Sequence, residues 1–205
     1  MQLEFHRAVN ALKTSKLGQG GMNALTALPW FVMIGPPGAG KTTALRNSGL
    51  RFPYAPPGHS GGLRGVAGTR NCEWWLSNEA VLLDTAGRYI TEDDDRDEWF
   101  AFLDATKKSR PAHPINGIIA AVSAAELIDA KDDAIAFLGK TMRERIDEVM
   151  GRLEMVLPVY VVITKCDLIS GFTEFFGDIR PNERQQVWGF TVPLEKGVSN
   201  IEAFA

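Results

Sequence analysis

The amino-acid sequence predicts a doubly wound α/β fold, with a mostly parallel sheet that includes one antiparallel hairpin strand and with a helical arm at the N-terminus. Three observations support this class. Short, almost wholly apolar runs alternate with stretches of helical periodicity, which is the order of βαβ units. One apolar run leads through a glycine-rich turn into a helical pattern. Two further apolar runs are separated by only a few polar residues, which predicts a hairpin.

The chain is predicted to have three parts. Residues 1–28 contain an amphipathic helix, over residues 2–17, and a linker. Residues 29–195 form the α/β domain, and the 205-residue chain is long enough for one such domain with a sizeable core. Residues 196–205 begin a further segment. No closing element follows the last predicted strand, so we expect the natural polypeptide to continue.

The first half of the α/β domain is predicted to contain three strands. The run "WFVMIG" is typical of a strand buried on both faces of a parallel sheet. A helix is expected to begin near Lys41 and to end before Gly49. Residues 53–70 are rich in glycine and proline and form a long loop, a length that is often functional. The runs "CEWWL" and "AVLLD" are predicted to form the hairpin.

The second half continues the alternation. The acidic run Glu92–Asp95 precedes a helical pattern and is interpreted as a solvated helix N-terminus, with a metal site as the alternative. Ile115–Val122 predicts a buried strand, and residues 125–153 predict a long helix. The run "LPVYVVITKCD" predicts the next strand. The remaining predicted elements are short helices over residues 172–178 and 182–188 and a last strand over residues 188–193.

Composition excludes several classes of function. The formal net charge is −3, without a clustered excess of lysine and arginine, so we expect no nucleic-acid partner. The chain has two cysteines and three scattered histidines, which favours neither a disulfide framework nor a zinc site. The longest apolar run, residues 155–169, contains Lys165 and Asp167 and is shorter than the ~20 residues that a membrane span requires.

The stretch "GPPGAGKTT" predicts a phosphate-binding loop. Gly35, Gly40, Lys41 and Thr42 match the pattern G-x-x-x-x-G-K-[ST], and the loop follows a buried strand and opens a helix, which is the context that the pattern requires. Backbone N–H groups would surround the phosphates, Lys41 would neutralise their charge, and the Thr42 hydroxyl would contact Mg²⁺. The predicted nucleotide-contacting residues of this loop are Gly35, Pro36, Pro37, Gly38, Ala39, Gly40, Lys41, Thr42 and Thr43.

A second motif, "LLDTAG", places Asp84 at the end of an apolar strand. Its carboxylate is predicted to hold Mg²⁺, and the backbone N–H of Gly87 to contact the γ-phosphate, so that loss of this phosphate would release the following segment. The alternative is an ordinary turn. Thr69, in the long loop, is either a further Mg²⁺ ligand or a plain loop threonine.

A third motif, "ITKCD", predicts a purine-binding site. The carboxylate of Asp167 can accept hydrogen bonds from guanine that adenine cannot donate, and the stem of Lys165 can lie across the base. Thr164 replaces the asparagine of the N-K-x-D signature of GTPases, which alters one polar contact. GTP or GDP is therefore favoured, and ATP stays open.

In combination, the phosphate loop, "GTRNCEWWLSNEAVLLDTAGRY" and "VYVVITKCDLISGFTEFF" resemble the cytoplasmic domain of the IcmF/TssM proteins, inner-membrane components of bacterial type VI secretion. The resemblance covers nearly all of residues 1–195. It implies a fold like that of small P-loop GTPases and a position at the cytoplasmic face of the bacterial inner membrane, with no membrane span within this segment. It also implies a DotU/TssL-type partner, baseplate components and, through a periplasmic region outside this chain, a TssJ-type lipoprotein.

The residue after the D-x-x-G motif is Arg88, where many GTPases have a glutamine that orients water. Arg88 stays protonated and cannot act as a base, so it either neutralises transition-state charge or forms a surface ion pair. Arg64 and Arg70 are other candidates. With Lys41 and Gly87, Arg88 completes the predicted catalytic set for slow, Mg²⁺-dependent hydrolysis that acts as an assembly switch. The alternatives are an ATP-driven motor, a scaffold without turnover and, ranked last, a small-molecule kinase.

Overall fold

The structure is a computed structural model that describes residues 26, 28–52, 72–180, 183, 186 and 188–191. The chain divides into two compact units, Met1–Ile169 and Ser170–Ala205. Three predicted features lie outside the described residues. They are the N-terminal helix over residues 2–17, the long loop with Arg64, Thr69 and Arg70, and the terminal segment 196–205.

The first unit contains a five-stranded sheet in the order β2-β3-β1-β4-β5. Strands β2 and β3 are antiparallel, and every other pair is parallel. The predicted mixed α/β sheet with one hairpin is therefore confirmed. The strands are β1 (Trp30–Ile34), β2 (Cys72–Leu76), β3 (Val81–Thr85), β4 (Gly117–Ser123) and β5 (Val159–Thr164).

The helices of this unit connect the parallel strands. They are α1 (Lys41–Arg46), α2 (Arg88–Thr91), α3 (Arg96–Ser109), α4 (Ala124–Ile128) and α5 (Asp132–Leu153), with 3-10 turns at Asp93–Asp95 and Cys166–Leu168. Helix α1 begins at Lys41, where the sequence predicts a helix start. The single long helix predicted over residues 125–153 is wrong, because it is divided into α4 and α5. The hydroxyl of Ser123 accepts a hydrogen bond from the N–H of Glu126, which starts α4 as a separate capped turn.

Side chains of alternating residues in β1 pack on the two faces of the sheet. On one face, Trp30, Val32 and Ile34 belong to the larger core cluster, which also contains aromatic and aliphatic side chains of α3. On the other face, Met33 packs in a smaller cluster with Leu45 of α1. All five residues of β3 are buried, as expected for a strand covered on both faces.

Strand β5 differs from the other parallel strands. Among the described residues it pairs only with β4, so it is an edge strand. Its apolar side chains Tyr160, Val161 and Ile163 are 46–66% exposed, whereas β1 is mostly buried.

The second unit has less regular structure. Helix α6 spans Phe172–Phe175, within the predicted short helix, and Trp188 packs near the rings of Phe172 and Phe176. The last strand predicted over residues 188–193 is wrong for residues 188–191, which are described and have no strand; residues 192 and 193 lie outside the described part. None of the helices among the described residues combines the length and the hydropathy of a membrane span.

Two leucine truncations test the position of the core. Leu103, 1% exposed in α3, packs in the larger cluster, whereas Leu168 is 62% exposed. We expect Leu103→Ala to lower the free energy of unfolding by about 2–5 kcal/mol, because it leaves a cavity. Leu168→Ala should change it by less than about 1 kcal/mol. Urea titration followed by tryptophan fluorescence measures the free energy of unfolding of both variants. Equal losses of stability would contradict the burial of Leu103 and the exposure of Leu168.

Candidate functional site

Three predicted motifs meet at one edge of the sheet. Strands β1, β3 and β5 are parallel members of the same sheet, so their carboxyl ends lie on the same side. The phosphate loop follows β1, Asp84 and Gly87 lie at and just after the end of β3, and Thr164–Asp167 lie at the end of β5. The carboxyl edge of a parallel sheet is where ligands bind in open α/β folds. This edge is the candidate site.

The side chain of Lys41 folds back onto the phosphate loop that contains it. Lys41 is buried, and its ammonium donates hydrogen bonds to the carbonyl oxygens of Gly35, at 2.7 Å, and Pro36, at 3.2 Å. Burial lowers the pKa of Lys41, whereas the charges of Asp84 and Glu126 raise it. Gly40 precedes α1 in the left-handed conformation, with φ of 77°, which glycine adopts without strain. The loop therefore holds a desolvated cation at its centre.

Thr42 and Asp84 form a direct contact between the loop and β3. The Thr42 hydroxyl donates a 2.6 Å hydrogen bond to Oδ2 of Asp84, whose side chain is fully buried. The other carboxylate oxygen, Oδ1, is buried without a hydrogen-bond partner among the described residues. Burial raises the pKa of Asp84 to about 6, although the hydrogen bond from Thr42 and the charge of Lys41 lower it.

These groups fit a hard divalent cation. Mg²⁺ prefers oxygen ligands and usually takes one or two from the protein, with waters and phosphate oxygens completing its shell. A hydroxyl and a carboxylate oxygen are present together here, and the unpartnered Oδ1 of Asp84 would be satisfied by such a cation or by its bound water. Within the described residues, no group of three or more His, Cys, Asp or Glu side chains is placed to hold a metal.

Gly87 lies directly against the phosphate loop. A Cβ atom on Gly87 would be 2.3 Å from the backbone nitrogen of Pro37 and 2.7 Å from the carbonyl carbon of Pro36. Only a residue without a side chain allows this approach. The D-x-x-G segment and the proline pair of the loop are thus in backbone contact.

Arg88 forms ion pairs with the start of α3. Its guanidinium contacts the carboxylate of Asp95 and, at 2.5 Å, that of Glu98. Burial alone would lower the pKa of Arg88, but the hydrogen bonds with both carboxylates raise it. The ion-pair alternative considered from the sequence is therefore present in the structure, and a catalytic role for Arg88 stays a prediction.

Thr164 connects the base-contact motif to the phosphate loop. Its hydroxyl donates a 2.7 Å hydrogen bond to the carbonyl oxygen of Ala39, 125 residues earlier in the chain. The threonine that replaces asparagine thus keeps a polar contact to the loop. Lys165 follows with a left-handed backbone, φ 53°, and Asp167 lies exposed on the next 3-10 turn.

Sequence reasoning missed Glu126. Its carboxylate lies beside the phosphate loop and 4.0 Å from the ammonium of Lys165. The available signal was the pattern Ser123-x-x-Glu126, which resembles a helix capping box after a predicted strand. That pattern places Glu126 in the first helical turn beyond the carboxyl end of β4.

The fold is a mixed α/β domain in which three sequence motifs meet at the carboxyl edge of the sheet. The family model of the IcmF-related N-terminal domain matches residues 92–204, more than half of the chain. The chain belongs to this family.

Two individual proteins are similar to the chain. It is 48% identical over 196 residues to the type VI secretion system component TssM1 of Pseudomonas aeruginosa strain PAO1, a match that covers 94% of this chain but 18% of that protein's length. A solved structure of the signal recognition particle receptor SRb-GTP/SRX complex from Chaetomium thermophilum matches with 19% identity and a TM-score of 0.41, covering 78% of this chain and 84% of that one.

Two glycine substitutions test the contact between the D-x-x-G segment and the loop. We expect Gly87→Ala to lower the free energy of unfolding by about 1–3 kcal/mol, because the new methyl group overlaps the backbone of Pro37. Gly139, in α5, has open space around it. Gly139→Ala should raise stability by about 0.5–1 kcal/mol. Thermal or urea unfolding measures both, and a stabilising Gly87→Ala would refute the contact.

Proposed function

We propose that this chain is a nucleotide-binding domain of a type VI secretion membrane-complex component, located at the cytoplasmic face of the bacterial inner membrane. The proposal is supported by membership of the IcmF-related N-terminal domain family and by 48% identity to a protein named TssM1. The nucleotide is a guanine nucleotide with Mg²⁺. Its slow hydrolysis changes the state of the D-x-x-G segment and so acts as a conformational or assembly switch.

The hydrogen bond between Thr42 and Asp84 is the observation that carries the proposal. It brings the hydroxyl predicted from the phosphate loop and the carboxylate predicted from the D-x-x-G motif to 2.6 Å. A buried aspartate with one unpartnered oxygen is unfavourable at an ordinary strand end. An unsatisfied buried carboxylate oxygen costs about 1–3 kcal/mol or more. A cation bound at this position would remove that penalty.

Each residue of the site has a role in this proposal. The backbone N–H groups of residues 38–43 bind the phosphate oxygens, and Lys41 leaves the carbonyls of Gly35 and Pro36 to neutralise the terminal phosphates. Mg²⁺ supplies further neutralisation of phosphate charge when it is bound. The N–H of Gly87 marks the γ-phosphate position, because its segment already contacts the loop.

The carboxyl end of β5 supplies the base contacts. Lys165 lies across the purine, and the exposed Asp167 carboxylate accepts hydrogen bonds from guanine. Thr164 holds this strand end against the loop carbonyl of Ala39, which fixes the distance between base and phosphates.

ATP is the second candidate, since the threonine changes one contact of the guanine signature. An ATP-dependent function in secretion and a scaffold without turnover are the corresponding alternative functions.

The proposed partners follow from the family and not from any surface of this chain. They are a DotU/TssL-type inner-membrane protein, baseplate components and a TssJ-type lipoprotein that would meet the periplasmic region of a longer protein. The chain spans 18% of the length of the relative that it matches, so these contacts belong to the complete assembly.

The experiment that tests nucleotide binding is the Mg²⁺ dependence of the affinity for fluorescent GDP and GTP. We expect Mg²⁺ to tighten binding by the wild type about tenfold or more and to have little effect on Asp84→Asn, which can still accept the hydrogen bond from Thr42 but lacks the charge. Asp129→Asn, on the exposed end of α4, is the matched control and should behave as the wild type. Equal Mg²⁺ dependence in all three proteins would refute the assignment of Asp84.

Single-turnover hydrolysis tests the role of Arg88. We propose that Arg88 neutralises transition-state charge only after it leaves its pairs with Asp95 and Glu98, when a partner binds. We therefore expect the isolated wild type to hydrolyse GTP slowly, at about 10⁻⁴ to 10⁻² per second. Arg88→Ala and the control Arg143→Ala should both stay within about threefold of the wild type. Turnover above about one per second, or a tenfold loss in Arg88→Ala alone, would show that the paired arrangement is not the ground state.

A further inference from the structure

Glu126 places a negative charge beside the proposed phosphate site. Its Oε1 atom lies 3.6 Å from the position that a Cβ of Gly38 would occupy, and 4.0 Å from Nζ of Lys165. Gly38 is the first of the loop residues whose N–H groups are proposed to bind phosphate. A carboxylate next to a bound polyanion is unfavourable, because their negative charges repel each other. The position of Glu126 beside the proposed phosphate site therefore needs an explanation.

The fold holds Glu126 at this point. Ser123 and Thr164 are register partners in β4 and β5, and the chain leaves both strands at the same edge. The buried Ser123 hydroxyl accepts a hydrogen bond from the N–H of Glu126 and fixes the first turn of α4. The side chain of Glu126 is 43% exposed and that of Lys165 is 37% exposed, so solvent screens their mutual attraction. Such a pair contributes at most about 1 kcal/mol.

The repulsion between Glu126 and a bound polyphosphate differs from the pair with Lys165, because it involves more than one charge. A phosphate held by the N–H of Gly38 would lie within the Debye length of about 8 Å at physiological salt, so dissolved salt would screen this repulsion only in part. The repulsion increases with each phosphate charge, whereas the pair with Lys165 is a single interaction.

We propose that Glu126 sets the affinity of this site, weakening nucleotide binding in proportion to the negative charge of the phosphate chain. This inference depends on the proposed function, because it requires that the loop binds a nucleotide. Glu126 therefore makes the affinity for a triphosphate exceed the affinity for a diphosphate by less than it would with the phosphate loop alone.

Competition binding of GTP and GDP in Mg²⁺ tests the inference, with the isosteric Glu126→Gln variant. We expect it to bind GTP about fivefold more tightly than the wild type and GDP about twofold more tightly, because the magnesium complex of GTP carries one more negative charge. Glu79→Gln, an exposed glutamate in the turn between β2 and β3 at the opposite edge of the sheet, should leave both affinities unchanged.

The Lys165→Met background separates direct repulsion from an effect through the lysine. If repulsion is direct, Glu126→Gln still tightens GTP binding about fivefold in Lys165→Met. A gain that disappears in this background, equal gains for GTP and GDP, or weaker binding by Glu126→Gln would each overturn the inference while leaving the proposed function intact. Absence of nucleotide binding by the wild type and every variant would overturn both.

Discussion

The site depends on one short hydrogen bond, from the hydroxyl of Thr42 to the buried carboxylate of Asp84. It joins the first helical turn after β1 to the end of β3, and the parallel register of these strands makes the contact possible, since Met33 and Asp84 are direct neighbours. Burial of Asp84 among apolar strands would be unfavourable without a partner for its charge. The charge of Lys41 stabilises the carboxylate, and the proposed Mg²⁺ would do so further.

A second set of polar contacts links the site to the helices behind it. Arg145, buried in α5, donates a 2.8 Å hydrogen bond to the carbonyl oxygen of Tyr89, two residues after Gly87. Arg145 and Arg96 both contact Glu148, which ties α5 to the start of α3. The segment that contacts the phosphate loop therefore accepts a hydrogen bond from a buried guanidinium of α5. A displacement of this segment would break that hydrogen bond and so affect α5.

Much of the fold was predictable because it depends on local patterns. Apolar runs located the five strands of the described residues, and the spacing of glycine, lysine and aspartate located the loop and the end of β3. The contacts that could not be predicted from the sequence join residues that are far apart in the chain. The contact of Gly87 with Pro37 and the hydrogen bond from Thr164 to Ala39 arise only when the strands are in register. Glu126 was missed because its only signal, the capping-box pattern Ser123-x-x-Glu126, predicts a helix start and not a position beside the phosphate loop. The break between α4 and α5 was missed because their helical periodicity continues across it.

The central claim is that the loop after β1 binds the phosphates of a Mg²⁺-chelated purine nucleotide. Titration calorimetry of the wild type and of Lys41→Ala with GTP and with ATP, both in Mg²⁺, tests it most directly. We expect saturable binding of GTP by the wild type and weaker binding of ATP. We expect Lys41→Ala to lose at least about tenfold in affinity, because the buried ammonium is the only side-chain cation that the described part of the loop contributes. Absence of heat with either nucleotide, or equal affinities for the wild type and Lys41→Ala, would contradict it.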